Sequence, residues 1–224
     1  MLSFFTKYKF FGVVLLGLSV VIIYLFYNAL QPKKKLPIYQ PADFNQELVD
    51  SSLHSKKKYH TIANFSLLNQ NGETITQDHY KDKIYIADFF FTTCPTICPI
   101  MTKNMAEIQE KIKNDADVLL LSHSVTPVID SVPQLKKYAL EKGVLDYKWN
   151  LVTGDKKHIY ELARKSYLAV KHDGDGGPFD MIHTENFMLI DKEGRIRGTY
   201  DGTNSEEILT LLQDLEVLKA SYLE

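Results

Sequence analysis

The stretch from Ile84 to Pro99 constrains this chain most: an apolar run passes directly into helical periodicity, and the only two cysteines, Cys94 and Cys98, sit at the change-over. Ile84-Tyr85-Ile86-Ala87-Asp88-Phe89-Phe90-Phe91 is mostly β-branched or aromatic, which predicts a largely buried strand despite Asp88. Met101, Met105, Ile108 and Ile112 then recur at helical spacing, leaving Lys103, Gln109, Glu110 and Lys113 to face water. Backbone N–H groups at a helix start stabilise a thiolate, so a cysteine there is both a nucleophile and a soft-metal ligand. Two cysteines in 224 residues cannot staple the chain as a disulfide scaffold, so the pair acts locally. Pro95, Thr96 and Ile97 separate them. A spacing of four suits one helical face or two sulfurs turned toward one ion, and it leaves metal binding and disulfide formation both open.

The beginning of the chain concerns location. Phe10 to Leu30 carries no charged side chain, and about 21 residues at the helical rise cover about 30 Å, the thickness of a hydrocarbon core. Tyr24 and Tyr27 lie toward its later edge, as expected near an interface, and lysines flank both ends. With no small-x-small cleavage site after it, an uncleaved anchor over residues 1–30 is expected in preference to a signal peptide. Residues 31–59, punctuated by Pro32, Pro37 and Pro41, are expected to form a stalk or linker, with a short helix around Phe44-Leu48-Val49.

One ordinary domain, residues 60–224, follows. Asn71-Gly72 predicts a hairpin turn, and Val118 to Leu121 a second buried strand. Ser131 and Gln134 predict a capped helix stopping at Gly143, and Asp155 caps another. Trp149 to Val152, Tyr167 to Val170, Phe187 to Ile190 and Ile196 to Tyr200 read as further strands. A last helix from Asn204 or Ser205 carries Ile208, Leu211, Leu212, Leu215 and Leu218 as its inward stripe. This alternation predicts an α/β fold with helices covering a central sheet. The formal net charge of −2 gives no sign of a nucleic-acid binder.

Phe91-Thr92-Thr93-Cys94-Pro95-Thr96-Ile97-Cys98-Pro99, then His183-Thr184 before Phe187-Met188-Leu189-Ile190-Asp191, then Tyr200-Asp201-Gly202, together resemble the Sco/SenC family of membrane-anchored, thioredoxin-like copper proteins. The resemblance runs over roughly residues 60 to 218 and includes the N-terminal anchor. It implies a thioredoxin-like central sheet flanked by helices and copper held by Cys94, Cys98 and His183. It also implies delivery of copper to, or thiol maintenance for, the binuclear copper centre of cytochrome c oxidase, on the outer face of a bacterial inner membrane. The partners so implied are the copper-bearing oxidase subunit and a copper donor or thiol-redox partner. Thr96 stands where the family carries an aspartate, and the acidic loop after the second core strand reads Ser122-His123-Ser124-Val125-Thr126-Pro127. Both departures bear on partner choice and on tuning of the site more than on the three ligands. His123 follows the predicted strand and is expected to face solvent or accept a hydrogen bond rather than bind metal.

Two soft thiolates suit Cu(I), and adding an imidazole admits Cu(II). A membrane-tethered copper chaperone is therefore the first expectation. A dedicated thiol-disulfide oxidoreductase, in which Cys94 and Cys98 are the catalytic pair, is the second. A non-enzymatic interaction module with a merely structural disulfide is the third, since closing so short a loop offers little entropy benefit. His54, His60, His79, His158 and His172 form no ligand motif, and the glycine-rich run Gly174 to Pro178 reads as a rim or partner-contact loop.

Overall fold

The computed structural model describes residues 8–30, 35–43, 60–170, 176–177 and 179–223. The chain separates into two units, residues 1–35 and 36–224. The first holds a single helix, α1 (Lys9–Leu30), which is long and apolar enough to cross a membrane by length and composition. The helix expected around Phe44, together with His54 and His172, lies outside the described residues.

The second unit is built on seven strands: β1 (Ser66–Asn69), β2 (Thr74–Thr76), β3 (Ile84–Phe90), β4 (Val118–Ser124), β5 (Trp149–Thr153), β6 (Asn186–Ile190) and β7 (Ile196–Asp201). They form one sheet in the order β2-β1-β5-β4-β3-β6-β7. β3, β4 and β5 run parallel, because helices connect them. β6 lies antiparallel to β3 on its other side, and β7 is antiparallel to β6. The expected hairpin joins β1 to β2: Gly72 takes φ +77°, and Asn69 N–H donates to the Glu73 carbonyl at 2.9 Å.

Alternation along β3 divides the core. Ile84, Ile86 and Phe90 point to a face covered by α2 (Ile97–Ile112), α3 (Val132–Lys142) and α5 (Ser205–Ala220), and Cys94 and Cys98 belong to that cluster. Tyr85, Ala87 and Phe89 point to the opposite face, packed by α4 (Lys156–Glu161) and the π-helical turn Leu162–Ser166 that continues it. This is the thioredoxin-like arrangement of a central sheet with helices on both sides and an added hairpin.

Local signals held unevenly. Asp155 caps α4 by accepting from His158 N–H at 2.8 Å, Asn204 caps α5 by accepting from Glu206 N–H at 2.9 Å, and Gly143 ends α3 with φ +70°. Ser131 begins α3 without a side-chain cap bond, and the Gln134 side chain donates to Thr92 Oγ1 at 3.0 Å instead of returning to the helix start. β4 runs on to Ser124, placing His123 inside the strand. Tyr167 to Val170 is buried but is not a strand: Tyr167 N–H and Ala169 N–H donate to the Leu162 and Ala163 carbonyls, so its backbone is spent closing the π-helical turn. Residues 36–39, within the stretch read from the prolines as stalk, lie beside β7. Arg197 donates to the Leu36 and Pro37 carbonyls at 2.8 Å each, and Tyr39 N–H donates to the Ile196 carbonyl at 2.9 Å.

Gly202 ends β7 where no side chain fits, since a Cβ there would lie 2.5 Å from Cε1 of the fully buried Phe187. Gly202→Ala is expected to cost about 1–3 kcal/mol by overpacking, read as a lower urea midpoint with an unchanged slope.

Candidate metal and thiol centre

β3 delivers the site. After Phe90 the chain leaves the sheet through Phe91, Thr92 and Thr93, turns at Cys94 and enters α2 at Ile97, so Cys98 lies in the first helical turn. The exit is pinned by Asp130, which is fully buried. Its carboxylate accepts from Thr92 N–H at 3.2 Å, Thr92 Oγ1 at 2.5 Å, Ser124 Oγ at 2.6 Å and Thr126 Oγ1 at 3.0 Å. One buried carboxyl group thereby joins the cysteine loop to the end of β4, and its donors offset the cost of burying it.

Cys94 and Cys98 are free thiols, both buried. Their environments differ in sign. Burial pushes the Cys94 thiol up, but the backbone N–H groups of Cys98 and Thr96, the Thr96 hydroxyl (3.6 Å from Sγ) and the Cys98 thiol together bring it down to about 7. Burial pushes Cys98 up to about 12, against a lowering backbone contact with Phe91 and with help from the neighbouring Cys94 and the Asp88 carboxyl. At neutral pH Cys94 is therefore the sulfur that ionises, about half of it being thiolate, while Cys98 keeps its proton.

Asp88 is the second polar group beneath the site. It shares the β3 face of Ile86 and Phe90 and is 2% exposed; Ser122 Oγ donates to it in a short hydrogen bond, and Trp149 Nε1 donates to Ser122 Oγ at 2.8 Å. Burial pushes its carboxyl up to about 7, with the Ser122 bond opposing.

His183 comes from the entrance to β6. Because β6 is antiparallel to β3, its start lies beside the end of β3, and continuing the register Ala87↔Met188 places residue 184 opposite 91. Ile182 and Thr184 are buried, so the alternating His183 is exposed, and its ring stacks on Phe91 with centroids 5.4 Å apart and planes 8° from parallel. The Phe91 carbonyl in turn accepts from the Cys94 N–H at 3.3 Å. The two sulfurs are thus adjacent and the imidazole stands at the same end of the sheet. Among the described residues, however, no three His, Cys, Asp or Glu side chains already converge to metal-holding distance.

The other histidines are elsewhere. His60 Nε2 lies 2.7 Å from the Ser166 carbonyl, and His79 Nδ1 accepts from Thr76 N–H. His123, expected to face solvent or be hydrogen-bonded, is fully buried among Phe65, Phe89 and Tyr167. Its Nε2 has no partner, and its Nδ1 is 3.4 Å from the Asp88 carbonyl. Pairing with Phe89 in the ladder puts it on the opposite sheet face from the cysteines, so it cannot join them. Residue-by-residue reading missed Thr96 as a contact of Cys94, Asp130 as the pin of the loop, and Phe91 as the platform for His183. Asp88, an anion inside an otherwise apolar run, was the one visible sign of the layer under the sulfurs.

A family model described as SCO1/SenC matches residues 54–217. Among solved structures, a SCO1/SenC family lipoprotein from Bacillus anthracis is similar with a TM-score of 0.64 at 30% identity, over 74% of this chain and 98% of that one. A structure of BsSco, described as a member of the Sco family of cytochrome c oxidase assembly proteins with a disulfide switch, gives 0.61 at 32% identity, over 71% and 93%. Bradyrhizobium japonicum ScoI, with copper bound, gives 0.54 at 26% identity, over 69% and 99%. Fold, motif order and a family match running from before β1 almost to the end of α5 agree: the chain belongs to the SCO1/SenC family.

Proposed function

We propose that this chain is a membrane-tethered copper chaperone for maturation of the binuclear copper centre of cytochrome c oxidase, with Cys94, Cys98 and His183 as the copper ligands. The observation that carries the reading is the pairing of one lowered and one raised thiol beside an exposed imidazole stacked on the same loop. Copper is the cargo, and the donor set fits it: two sulfurs suit Cu(I), and the imidazole extends the set to Cu(II). A relative solved with copper bound and another described as an oxidase assembly protein support the same assignment. Cys94, about half thiolate at neutrality, takes the ion first; Cys98 binds by giving up its proton, so loading is coupled to proton release. A site that is part thiol and part thiolate, at a loop end, can surrender copper as a recipient's ligands replace its own. In this reading residues 1–30 are the anchor of a bacterial inner-membrane protein, residues 31–59 lead from it, and residues 60–224 work on the outer face.

The same asymmetry favours a second reading, a dedicated thiol-disulfide oxidoreductase. Cys94 thiolate attacks a partner disulfide, forming a mixed disulfide and releasing one partner thiolate. Cys98, once deprotonated, attacks Cys94 Sγ, closing the Cys94–Cys98 disulfide and releasing the second partner thiolate.

Anaerobic Cu(I) titration followed by transfer to an apo oxidase copper domain tests the first reading. Cu(I) binding that survives replacement of both cysteines would end it. His183→Ala is expected to keep the fold by circular dichroism, keep Cu(I) binding and disulfide formation, and weaken Cu(II) coordination about 10-fold or more. Copper-edge X-ray absorption showing the same sulfur and imidazole ligation in that variant would remove His183 from the site.

A further inference from the structure

The segment that brings His183 toward the cysteines has no helix or strand among its described residues, 176–177 and 179–185, yet it is held from one direction. Lys156, Tyr160 and Arg164 recur every four residues along α4 and its π-helical turn, so they lie on one helical face. They stack on one another: Lys156 Nζ lies 4.9 Å and Arg164 Cζ 5.4 Å from the Tyr160 ring centroid. All three grip the segment. Lys156 donates to the Gly177 and Asp180 carbonyls at 2.7 Å each. Tyr160 donates to the Val125 carbonyl at 2.9 Å, lies 3.3 Å from the Asp180 carbonyl, and receives Ile182 N–H at 3.4 Å. Arg164 forks onto Asp180, with NH1 to Oδ2 at 2.6 Å and NH2 to Oδ1 at 2.7 Å, both side chains under a tenth exposed. The same Oδ2 accepts Gly176 N–H at 2.6 Å.

From this arrangement we infer that the Arg164–Asp180 fork is the positioning device for His183, setting how firmly the imidazole stays over Phe91 and hence how fast Cu(II) is released. The inference rests on the proposed ligand role of His183. A planar fork fixes direction as well as distance, and both partners lose most of their value if either is removed from so dry a place. Asp180 is three residues from His183, and the intervening Ile182 is sunk in the core. The fork therefore controls where the backbone enters the alternation that leaves His183 outward. Nothing in it touches sulfur, so it acts on the imidazole limb of the site and leaves the thiol limb alone.

The test uses the full-length protein in detergent, comparing the parent with Arg164→Met, Arg164→Lys and Asp180→Asn. The first readout is metal-free: the His183 ring C–H resonances, which stacking on Phe91 displaces. The second is Cu(II) loss to a chelator, followed by thiolate-to-copper absorption. Arg164→Met is expected to move the ring resonances toward free imidazole and to speed Cu(II) loss about 10- to 100-fold. Cu(I) binding and the Cys94–Cys98 midpoint potential should stay unchanged, with Arg164→Lys, which keeps charge but not the fork, in between. Unchanged resonances and unchanged Cu(II) release in a folded variant overturn the inference. If Arg164→Met does not fold, Arg164→Lys and Asp180→Asn carry the same readouts. Displaced resonances combined with equal Cu(II) release from the parent and from His183→Ala would uphold the fork's positioning role and reject the ligand reading instead.

Discussion

In an alkylation time course at pH 7 read by peptide mass spectrometry, Cys94 is expected to react roughly 300-fold faster than Cys98. With its thiol near 7 about half of Cys94 is thiolate, whereas Cys98, near 12, has a thiolate fraction of about one in 100,000. The more basic sulfur is intrinsically the better nucleophile, and a Brønsted slope of about 0.4–0.5 gives back roughly 100- to 300-fold of that gap. Burial of Cys98 in the first turn of α2 adds to the bias. The rate for Cys94 should rise with pH and level off above about 7, and that for Cys98 should still be climbing at pH 10. Thr96→Ala, which removes the hydroxyl beside Cys94 but keeps the backbone N–H, should shift the Cys94 inflection upward. Equal labelling of the two cysteines, or a Cys94 inflection near the ordinary thiol value, would refute the assignment of the thiolate and with it the order of steps in both functional readings.

Replacing His123 by phenylalanine is expected to produce the largest change in acid stability. Burial pushes the imidazole down to about 3 from 6.5. Above 6.5 the ring is neutral folded or unfolded; below it the unfolded chain takes a proton that the folded chain refuses. Stability therefore falls by about 1.4 kcal/mol per pH unit as pH drops from 6.5 toward 3. Asp88 works in the opposite direction. Its folded value near 7 lies above the unfolded 3.8, so its contribution is full below 3.8 and is lost as pH rises through 7. Between about pH 4 and 6.5 the two slopes cancel, and each substitution exposes the other. His123→Phe should be stabilised relative to the parent by about 4 kcal/mol near pH 3.5; it also keeps an aromatic ring among Phe65, Phe89 and Tyr167 and removes the unpartnered Nε2. Asp88→Asn should gain most above pH 7 and little below 4. Urea unfolding of the parent and both single variants from pH 3.5 to 8 measures this. A His123→Phe advantage that does not grow on acidification would mean the buried imidazole is not the acid-sensitive group.

What could be read in advance was what the chain states locally. β3, the cysteine turn, α2, the Asn71-Gly72 hairpin and α5 each carry their own periodicity or turn chemistry, and each formed where expected. Tyr167 to Val170 failed because an apolar run of four does not say whether its backbone will bond to a sheet or to a helix end, and Leu162 to Ser166 took it for the helix. The place of residues 36–39 was not legible, because prolines announce extended chain without saying that Arg197, some 160 positions later, will hold it. His123 is hydrogen-bonded and apart from the cysteines as expected, but its burial was not legible, because the strand was ended at Leu121, before the polar Ser122-His123-Ser124 whose partners lie on other elements. The same reason hides Asp130 and the Arg164–Asp180 fork: their meaning is a meeting of distant segments. Cys94 and Cys98 were legible as a pair; His183 entered only by resemblance, and the antiparallel placing of β6 puts it at the same end of the sheet.

That placing has a consequence for the order in which the site comes into being. The two thiols are four residues apart and need only a turn and the start of one helix. His183 arrives through β3–β6 pairing, which joins segments about a hundred residues apart and is among the contacts a folding chain closes late. A nascent chain thus presents sulfur long before it presents imidazole; under the proposed ligand set, early copper capture is by thiolate alone, and the oxidised ion gains its extra ligand only once the sheet is complete. Copper supplied during folding should leave the unfinished protein holding Cu(I), and competence for Cu(II) then becomes a report that folding has ended.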